Sequence, residues 1–354
     1  MTGRPRSLLV LADSLEGGMG AAAFSHCRLF AQSGWNVSLA APGARAQVTD
    51  GIRGFDLAVP ESAFRFRPML GAAGQARRLL RQLKPDVVHV HGMRTLAVLL
   101  AAGHRPFVTL HGGGRNPGQT SLGTRIRERS RDLAPLLVRG AFSVVPLERG
   151  RWTTMLLPSP RLVELEDVAM EAVATDPLFI FVARLAPPKR PDVFVDAMAS
   201  LKGRVPNAHG VVLGEGPGRA ALEARIRATG APVRLMGQVK DMTPWYRQAW
   251  GVCLFSDFEA LPFVVQESMW AGRPVITSNL PGVEWFAANT ARYVREPGAV
   301  VEALYELCDP TVRESRGRAA TLRARSMLAP DRLYQTLVDA YGAGGQERHI
   351  QEHP

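Results

Sequence analysis

Two glutamates, two cations and one histidine in this 354-residue chain stand where they could act together on a charged substrate. Glu259 and Glu267 lie eight positions apart in SDFEALPFVVQESMWAGRPVI, residues 256–276. The apolar run before Glu259 reads as a strand and the segment from Phe263 as a helix, so one carboxylate falls in a loop and the other inside the helix. Pro262 suits the start of that helix, where its missing N–H would have no partner in any case. The amides of Phe263 and Val264 in the first turn are then free to hold an anion such as a diphosphate. On an arbitrary helix such a glutamate pair would simply be solvated. One carboxylate in the loop and one on the helix could grip two parts of such a ligand.

Arg184 and Lys189 follow another short apolar run and precede a helix opening near Asp192, which puts both at the carboxyl edge of a strand. Cations there can neutralise a departing phosphate as a bond to it breaks. His111 begins the run His111-Gly112-Gly113-Gly114, the sequence of a lipase-type oxyanion loop. No G-x-S-x-G nucleophile elbow occurs in the chain, which argues against a serine hydrolase. His89 and His91 alternate on one strand without a third metal ligand nearby in sequence, so they read as strand-end packing. Gly214, Gly216 and Gly218 follow a strand, but their spacing is not that of a dinucleotide loop.

The elements that must position these residues alternate as βα units, the signature of parallel sheets. In the first half, Ser7 to Ala12, Asn36 to Ala41, Asp86 to His91, Pro106 to Leu110 and Ala141 to Pro146 read as strands. Gly20 to Ser33 and Gly71 to Leu83 read as helices. Residues 151–176 carry Pro158 and Pro160 and no strong strand signal, so the interdomain linker is placed there. A second series follows, with strands at Leu178 to Ala183, Gly210 to Leu213, Val233 to Met236, Val252 to Phe255 and Pro274 to Thr277. The helices between them run Asp192 to Leu201, Arg219 to Ala228, Thr243 to Trp250 and Phe263 to Ala271. Two doubly wound domains with a ligand cleft between them are the expectation.

The segment from Glu259 to Ile276 resembles the signature of glycosyltransferase family 4, retaining enzymes of GT-B fold with two facing Rossmann-like domains. Further blocks occur in the family's order. They are Glu16-Gly17-Gly18-Met19, Gly34-Trp35-Asn36-Val37, the run Pro85 to His91, Thr109-Leu110-His111-Gly112, Val182-Ala183-Arg184-Leu185 with Lys189, and Gly214-Glu215-Gly216-Pro217. The resemblance implies a nucleoside diphosphate sugar as donor, bound without a metal or other cofactor. It implies that Glu267 binds the ribose hydroxyls, that Glu259 contacts the sugar, and that Phe263, Val264, Gly17 and Gly18 approach the phosphates. Arg184 and Lys189 would hold the diphosphate, Gly237 and Val239 would flank the base, and His111 would face the sugar. Ala260 stands where the family often has glycine, and the usual asparagine-glycine linker is replaced by Leu157-Pro158-Ser159-Pro160. Acceptor specificity is therefore not transferable. The domains expected are 1–165 on the acceptor side, 166–330 for the nucleotide sugar, and a helix in 331–345 crossing back. The alternatives are a non-catalytic nucleotide-sugar or lipid-surface module of the same fold, and a sugar-nucleotide epimerase of similar build.

Composition agrees with two globular cores: 46% of residues are apolar and 21% charged, with 34 Gly and 26 Pro. No apolar run approaches the ~20 residues of a membrane span. The N-terminal basic residues and short apolar run lack a cleavage site and read as a first strand. Cys27, Cys253 and Cys308 form no paired motif, so a reducing cytoplasm is expected. The net charge of +11 is uneven. Residues 1–150 hold 20 Lys/Arg against 9 Asp/Glu, and the rest hold 23 of each. No nucleic-acid partner is expected. Arg65, Arg67, Arg77, Arg78, Arg81 and Lys84, and again Arg125, Arg127, Arg129 and Arg131, are interleaved with Phe64, Phe66, Leu70, Leu79, Leu80 and Ile126. Such segments can lie on an anionic bilayer and would suit a lipid-linked acceptor; a solvated basic face, or Arg-rich coding alone, is the plainer account.

Overall fold

The computed structural model describes residues 6–47, 51–61, 66–111, 133–146, 153–159, 161–165, 168, 173–294 and 296–342. Gly112 to Gly114, Phe64, Arg65, and the arginines and Ile126 of 125–131 lie outside the described residues. The chain divides into two compact units, Met1–Pro160 with Leu328–Pro354, and Arg161–Met327.

The first unit holds strands β1 (Ser7–Ala12), β2 (Asn36–Ala41), β3 (Arg53–Asp56), β4 (Val87–His91), β5 (Phe107–Leu110), β6 (Gly140–Ser143) and β7 (Thr153–Thr154). They form one parallel sheet in the order β3-β2-β1-β4-β5-β6-β7. β1 and β4 are buried along their whole length, which is why β1 reads as a nearly unbroken apolar run, while β4 carries the buried His89 and His91 among its valines. Leu9, Leu11, Val88, Val90 and Val108 pack against Met69, Ala72, Ala76, Leu96 and Leu99 from the covering helices. The helix Gly17–Gln32 begins three residues before the position expected for it, and Phe66–Leu83 begins five before. The linker expected at 151–176 contains the short strand β7 and the 3-10 turn Leu162–Leu165, and the division between units falls after Pro160.

The last helix, Pro330–Gly342, belongs to the first unit and buries Leu333, Leu337 and Tyr341 there. Trp35 donates its indole N–H to the Tyr334 hydroxyl at 2.9 Å.

The helix Phe66–Leu83 turns most of its described apolar residues inward. Its apolar residues Met69, Ala72, Ala76 and Leu79 recur at helical spacing and face the core, while Arg67, Arg78 and Arg81 are exposed. Arg77 is spent on the C-terminus of the neighbouring helix Met93–Ala101, donating to the carbonyls of Ala101 at 2.7 Å and Ala102 at 3.1 Å. Of the interleaved apolar residues whose side chains are described there, Leu79 is buried, Leu80 is half-buried and Leu70 is well exposed.

The second unit holds β8 (Leu178–Val182), β9 (His209–Leu213), β10 (Val233–Gly237), β11 (Gly251–Leu254), β12 (Val275–Ser278) and β13 (Arg292–Val294). All pair in parallel, in the order β10-β9-β8-β11-β12-β13. Phe179, Phe181, Phe194, Met198 and Cys253 make a core with no exposed surface. Each unit is thus a doubly wound sheet whose strand order reverses once, between β1 and β4 in the first and between β8 and β11 in the second.

Candidate active site

Where strand order reverses, the loops after the two adjacent strands leave in opposite directions and open a crevice at their carboxyl ends. In the second unit those loops carry the residues singled out from the sequence: Arg184 and Lys189 follow β8, and Glu259 follows β11. The two loops are joined at several points. Asp257 donates its amide to the Pro188 carbonyl at 2.8 Å, and Arg190 reaches the Asp257 carboxylate at 3.5 Å. Lys189 Nζ is paired with Glu259 Oε1, an oxygen that also accepts from Ser256 Oγ at 3.2 Å. Burial and the nearby Arg184 guanidinium pull the Lys189 ammonium down to about 8, while its carboxylate partner favours the charged form. Arg184 is exposed, and among the described residues it forms no ion pair. The crevice therefore offers one open guanidinium beside one ammonium that an arriving anion can draw from its carboxylate.

A glycine turn sets the height of this loop. A Cβ on Gly214 would lie 1.9 Å from the Ala183 carbonyl oxygen, and one on Gly216 would lie 2.5 Å from that of Leu185. Only glycine lets the turn approach so closely, and Leu185 N then donates to Glu215 O at 2.8 Å. The turn is a backbone cradle for residues 183–185 rather than a dinucleotide loop. Gly237, at φ +75, ends β10, and its carbonyl accepts from Gly214 N at 2.8 Å, with Val239 half-buried just beyond.

The helix Phe263–Trp270 starts one residue after Pro262, and no side chain caps its first turn. Phe263 and Val264 are half-buried at that end, beside the Glu259 loop. Glu267 is 3% exposed: Oε2 accepts from Tyr246 OH at 2.8 Å, and Oε1 lies 3.7 Å from Arg161. A ribose hydroxyl at Glu267 would thus share the carboxylate with Tyr246 or Arg161. The buried Arg273 donates to the carbonyls of Tyr246 at 2.7 Å and Val168 at 2.9 Å, which fixes Tyr246 in turn. Tyr246 and Arg273 carry no local sequence signal.

In the first unit, the crevice between β1 and β4 is occupied by a side chain of its own. Asp13 accepts from Thr95 N at 2.7 Å and from the Thr95 hydroxyl, which places its charge at the start of the helix Met93–Ala101. Gly17 and Gly18 are exposed at the start of the helix Gly17–Gln32, and a Cβ on either would meet nothing within 4 Å.

His111 directly follows β5 and joins a buried network that sequence reading missed. Its Nε2 lies 2.7 Å from His91 Nδ1, and His91 Nε2 lies 2.9 Å from His26 Nδ1. His26 Nε2 and His89 Nδ1 each lie 2.8 Å from Tyr341 OH, and His89 Nε2 lies 2.6 Å from Thr109 Oγ1. His89 and His91 are therefore not mere strand-end packing. His26, His89 and His91 come close enough to suggest a metal cluster, but every one of their ring nitrogens already has a partner within the network. Burial is the main cause that lowers all four histidines, His26 to about 3 and His111 to about 4. They are neutral at pH 7.

Two doubly wound parallel domains, with the last helix returned to the first, define the GT-B class. The comparisons agree from both halves. A family model described as Glycosyltransferase Family 4 matches residues 16–141, and one described as Glycosyl transferases group 1 matches 176–309. Each half of the chain is thus similar to a glycosyltransferase domain model. It is 32% identical over 136 residues to a Campylobacter jejuni alpha-1,4-N-acetyl-D-galactosaminyltransferase that acts on a PP-undecaprenol-linked glycan, a match covering 38% of each protein. It is 25% identical to a D-inositol 3-phosphate glycosyltransferase of Xylanimonas cellulosilytica over 78% of this chain and 71% of that one. Among solved structures, sucrose-phosphate synthase from Thermosynechococcus elongatus superposes with a TM-score of 0.78 at 15% identity, covering 95% and 98% of the two chains. HepE from Anabaena, solved with UDP and glucose, superposes at 0.76 and 13% identity, covering 95% and 99%. At these identities the structural likeness is one of fold.

The neutral histidines carry a consequence for stability. Each binds its proton more weakly folded than unfolded, so stability is full above pH ~6.5 and falls as pH drops, by up to about 1.4 kcal/mol per pH unit for each histidine. Denaturant unfolding at pH 7, 6 and 5 should show a steep loss below 6.5. A flat profile from 7 to 5 would contradict the neutral network.

Proposed function

We propose that the protein is a retaining glycosyltransferase that moves a sugar from a nucleoside diphosphate donor to an acceptor hydroxyl. The observation that carries this reading is the convergence of Arg184, Lys189, Glu259 and the uncapped start of the helix Phe263–Trp270 on the β8/β11 crevice, within the span matched by the group 1 model. The acceptor oxygen bonds to the anomeric carbon as the bond from that carbon to the diphosphate breaks, and the acceptor's proton passes to the leaving phosphate. Arg184 and Lys189 stabilise the charge that develops there. With two cations so placed the reaction needs no metal ion. Glu259, displaced from Lys189 by the diphosphate, turns to the sugar, while Glu267 holds the ribose and Gly237 and Val239 flank the base. Gly17, Gly18 and His111 serve the donor from the first unit, which also takes the acceptor.

The named relatives are transferases and a synthase, so neither the non-catalytic module nor the epimerase is favoured. Melting the protein with UDP, GDP, ADP and dTDP identifies the base, since a ligand at 100 times its dissociation constant stabilises by about 2.7 kcal/mol. With the matching nucleotide sugar, Lys189→Ala and Arg184→Ala should each lower turnover about 100-fold or more. No stabilisation by any nucleotide, or activity within threefold of wild type in both variants, rejects the assignment.

The Lys189–Glu259 pair also sets apart the two glutamates. Removing Glu259 frees the ammonium, so Glu259→Ala should bind free nucleoside diphosphate at least as well as wild type while losing sugar transfer. Glu267→Ala should weaken nucleotide binding itself. Equal losses in calorimetry would remove this division of roles.

A second reading concerns where the acceptor lies. Residues 133–137 are helical and expose Leu133, Leu136 and Leu137 at 55%, 59% and 50%, directly after the basic run at 125–131. The Campylobacter relative's lipid-linked substrate supports a lipid-linked acceptor reached by a cytoplasmic protein that docks on an anionic bilayer. No helix among the described residues is long and apolar enough to cross one. Sedimentation with strongly anionic vesicles should carry the protein down at low salt and release it near 1 M, where the Debye length is ~3 Å. Protein left in the supernatant at low salt favours a soluble acceptor.

A further inference from the structure

The buried network of the first unit is a single unbranched chain: Thr109, His89, Tyr341, His26, His91, His111. A neutral imidazole has one N–H donor and one acceptor nitrogen. Once one member of such a chain is oriented, every later one must follow. Two directions satisfy the histidines and also use the Tyr341 hydroxyl proton. In the first, Thr109 donates to His89 Nε2, His89 Nδ1 to Tyr341, Tyr341 to His26 Nε2, His26 Nδ1 to His91 Nε2, and His91 Nδ1 to His111 Nε2. In the second, every donation is reversed.

Thr109 separates the two. Its side chain has no exposed surface, and among the described residues its hydroxyl meets only His89. In the first direction the hydroxyl proton is used. In the second it is stranded in the core, because the hydroxyl accepts from His89 and has nothing among the described residues to donate to. An unpaired buried donor disfavours that direction by roughly 5- to 150-fold in population. The last proton of the favoured direction falls on the outer nitrogen of His111.

We propose that the network anchored at Thr109 fixes His111 as the Nδ1–H tautomer, so that this imidazole presents a hydrogen-bond donor rather than a base. Tyr341, His26, His89 and His91 are positioning residues that act through His111. The tautomer stands on the first unit alone. What the N–H meets rests on the reading of His111 as facing the donor sugar, and there it would select an oxygen able to accept.

Long-range proton–nitrogen NMR correlations of the full chain, labelled with 15N-histidine and free of ligand at pH 7.5, read the tautomer directly. His111 is assigned by the signals lost in His111→Gln. In wild type its proton should sit on Nδ1, in an excess of about fivefold or more. Tyr341→Phe, which keeps the shape but cuts the chain, should let His111 populate both tautomers. Thr109→Val should do the same by removing the anchor, and Thr109→Ser should restore the wild-type pattern. Thermal melts identify any variant that fails to fold; the wild-type spectrum and the remaining variants still decide. A proton on Nε2 or an even mixture in wild type overturns the proposal, as does a tautomer unchanged in both Tyr341→Phe and Thr109→Val. Because no substrate is present, this outcome is independent of whether the protein transfers sugar.

Discussion

The constraint on which the rest depends is that a parallel sheet places all its strand ends on one edge, and that a doubly wound order must reverse somewhere along that edge. At the reversal two neighbouring strands send their chains apart, and nothing from the sheet's own connections fills the gap. In the second unit the gap lies between β8 and β11, and the residues bordering it are the polar ends of two wholly apolar runs. Polar side chains collect there because elsewhere along these strands the side chains, Phe179, Phe181 and Cys253 among them, are packed in the core.

The two units solve the same geometry differently. The first fills its gap with Asp13, whose carboxylate satisfies the start of the helix Met93–Ala101. Gly92 is required beside it, since a Cβ there would lie 2.4 Å from that carboxylate. The second leaves the equivalent place to a pair of loops held by Lys189 and Glu259, charges that neutralise one another. One unit sets its carboxylate on a helix start, and the other sets its carboxylate on an ammonium.

The second unit was the more legible from sequence because its parts are local. Arg184 to Lys189 and Glu259 to Glu267 are short stretches punctuated by glycine and proline, and their strands are continuous apolar runs with polar ends. Element starts were harder. The helix Gly17–Gln32 opens on glycines with no capping side chain, and Pro68 in the first turn of Phe66–Leu83 conceals where that helix begins. The histidine network was not legible at all, since Tyr341 lies 252 residues from His89 and 315 from His26. Nothing in an ordinary amphipathic helix marks one tyrosine as the link between two distant imidazoles.

The return of the helix Pro330–Gly342 to the first unit has a consequence for how the protein is made. As the chain is synthesised, the whole of Arg161–Met327 emerges before the helix that completes the sheet in front of it. Until then His26 Nε2 and His89 Nδ1 lack the hydroxyl that joins them. The apolar side chains against which Leu333 and Leu337 pack are also uncovered. Domains that fold during synthesis normally mature from the N-terminus onward. Here the order is inverted: Arg161–Met327 is complete in sequence before the helix Pro330–Gly342 that the earlier unit needs.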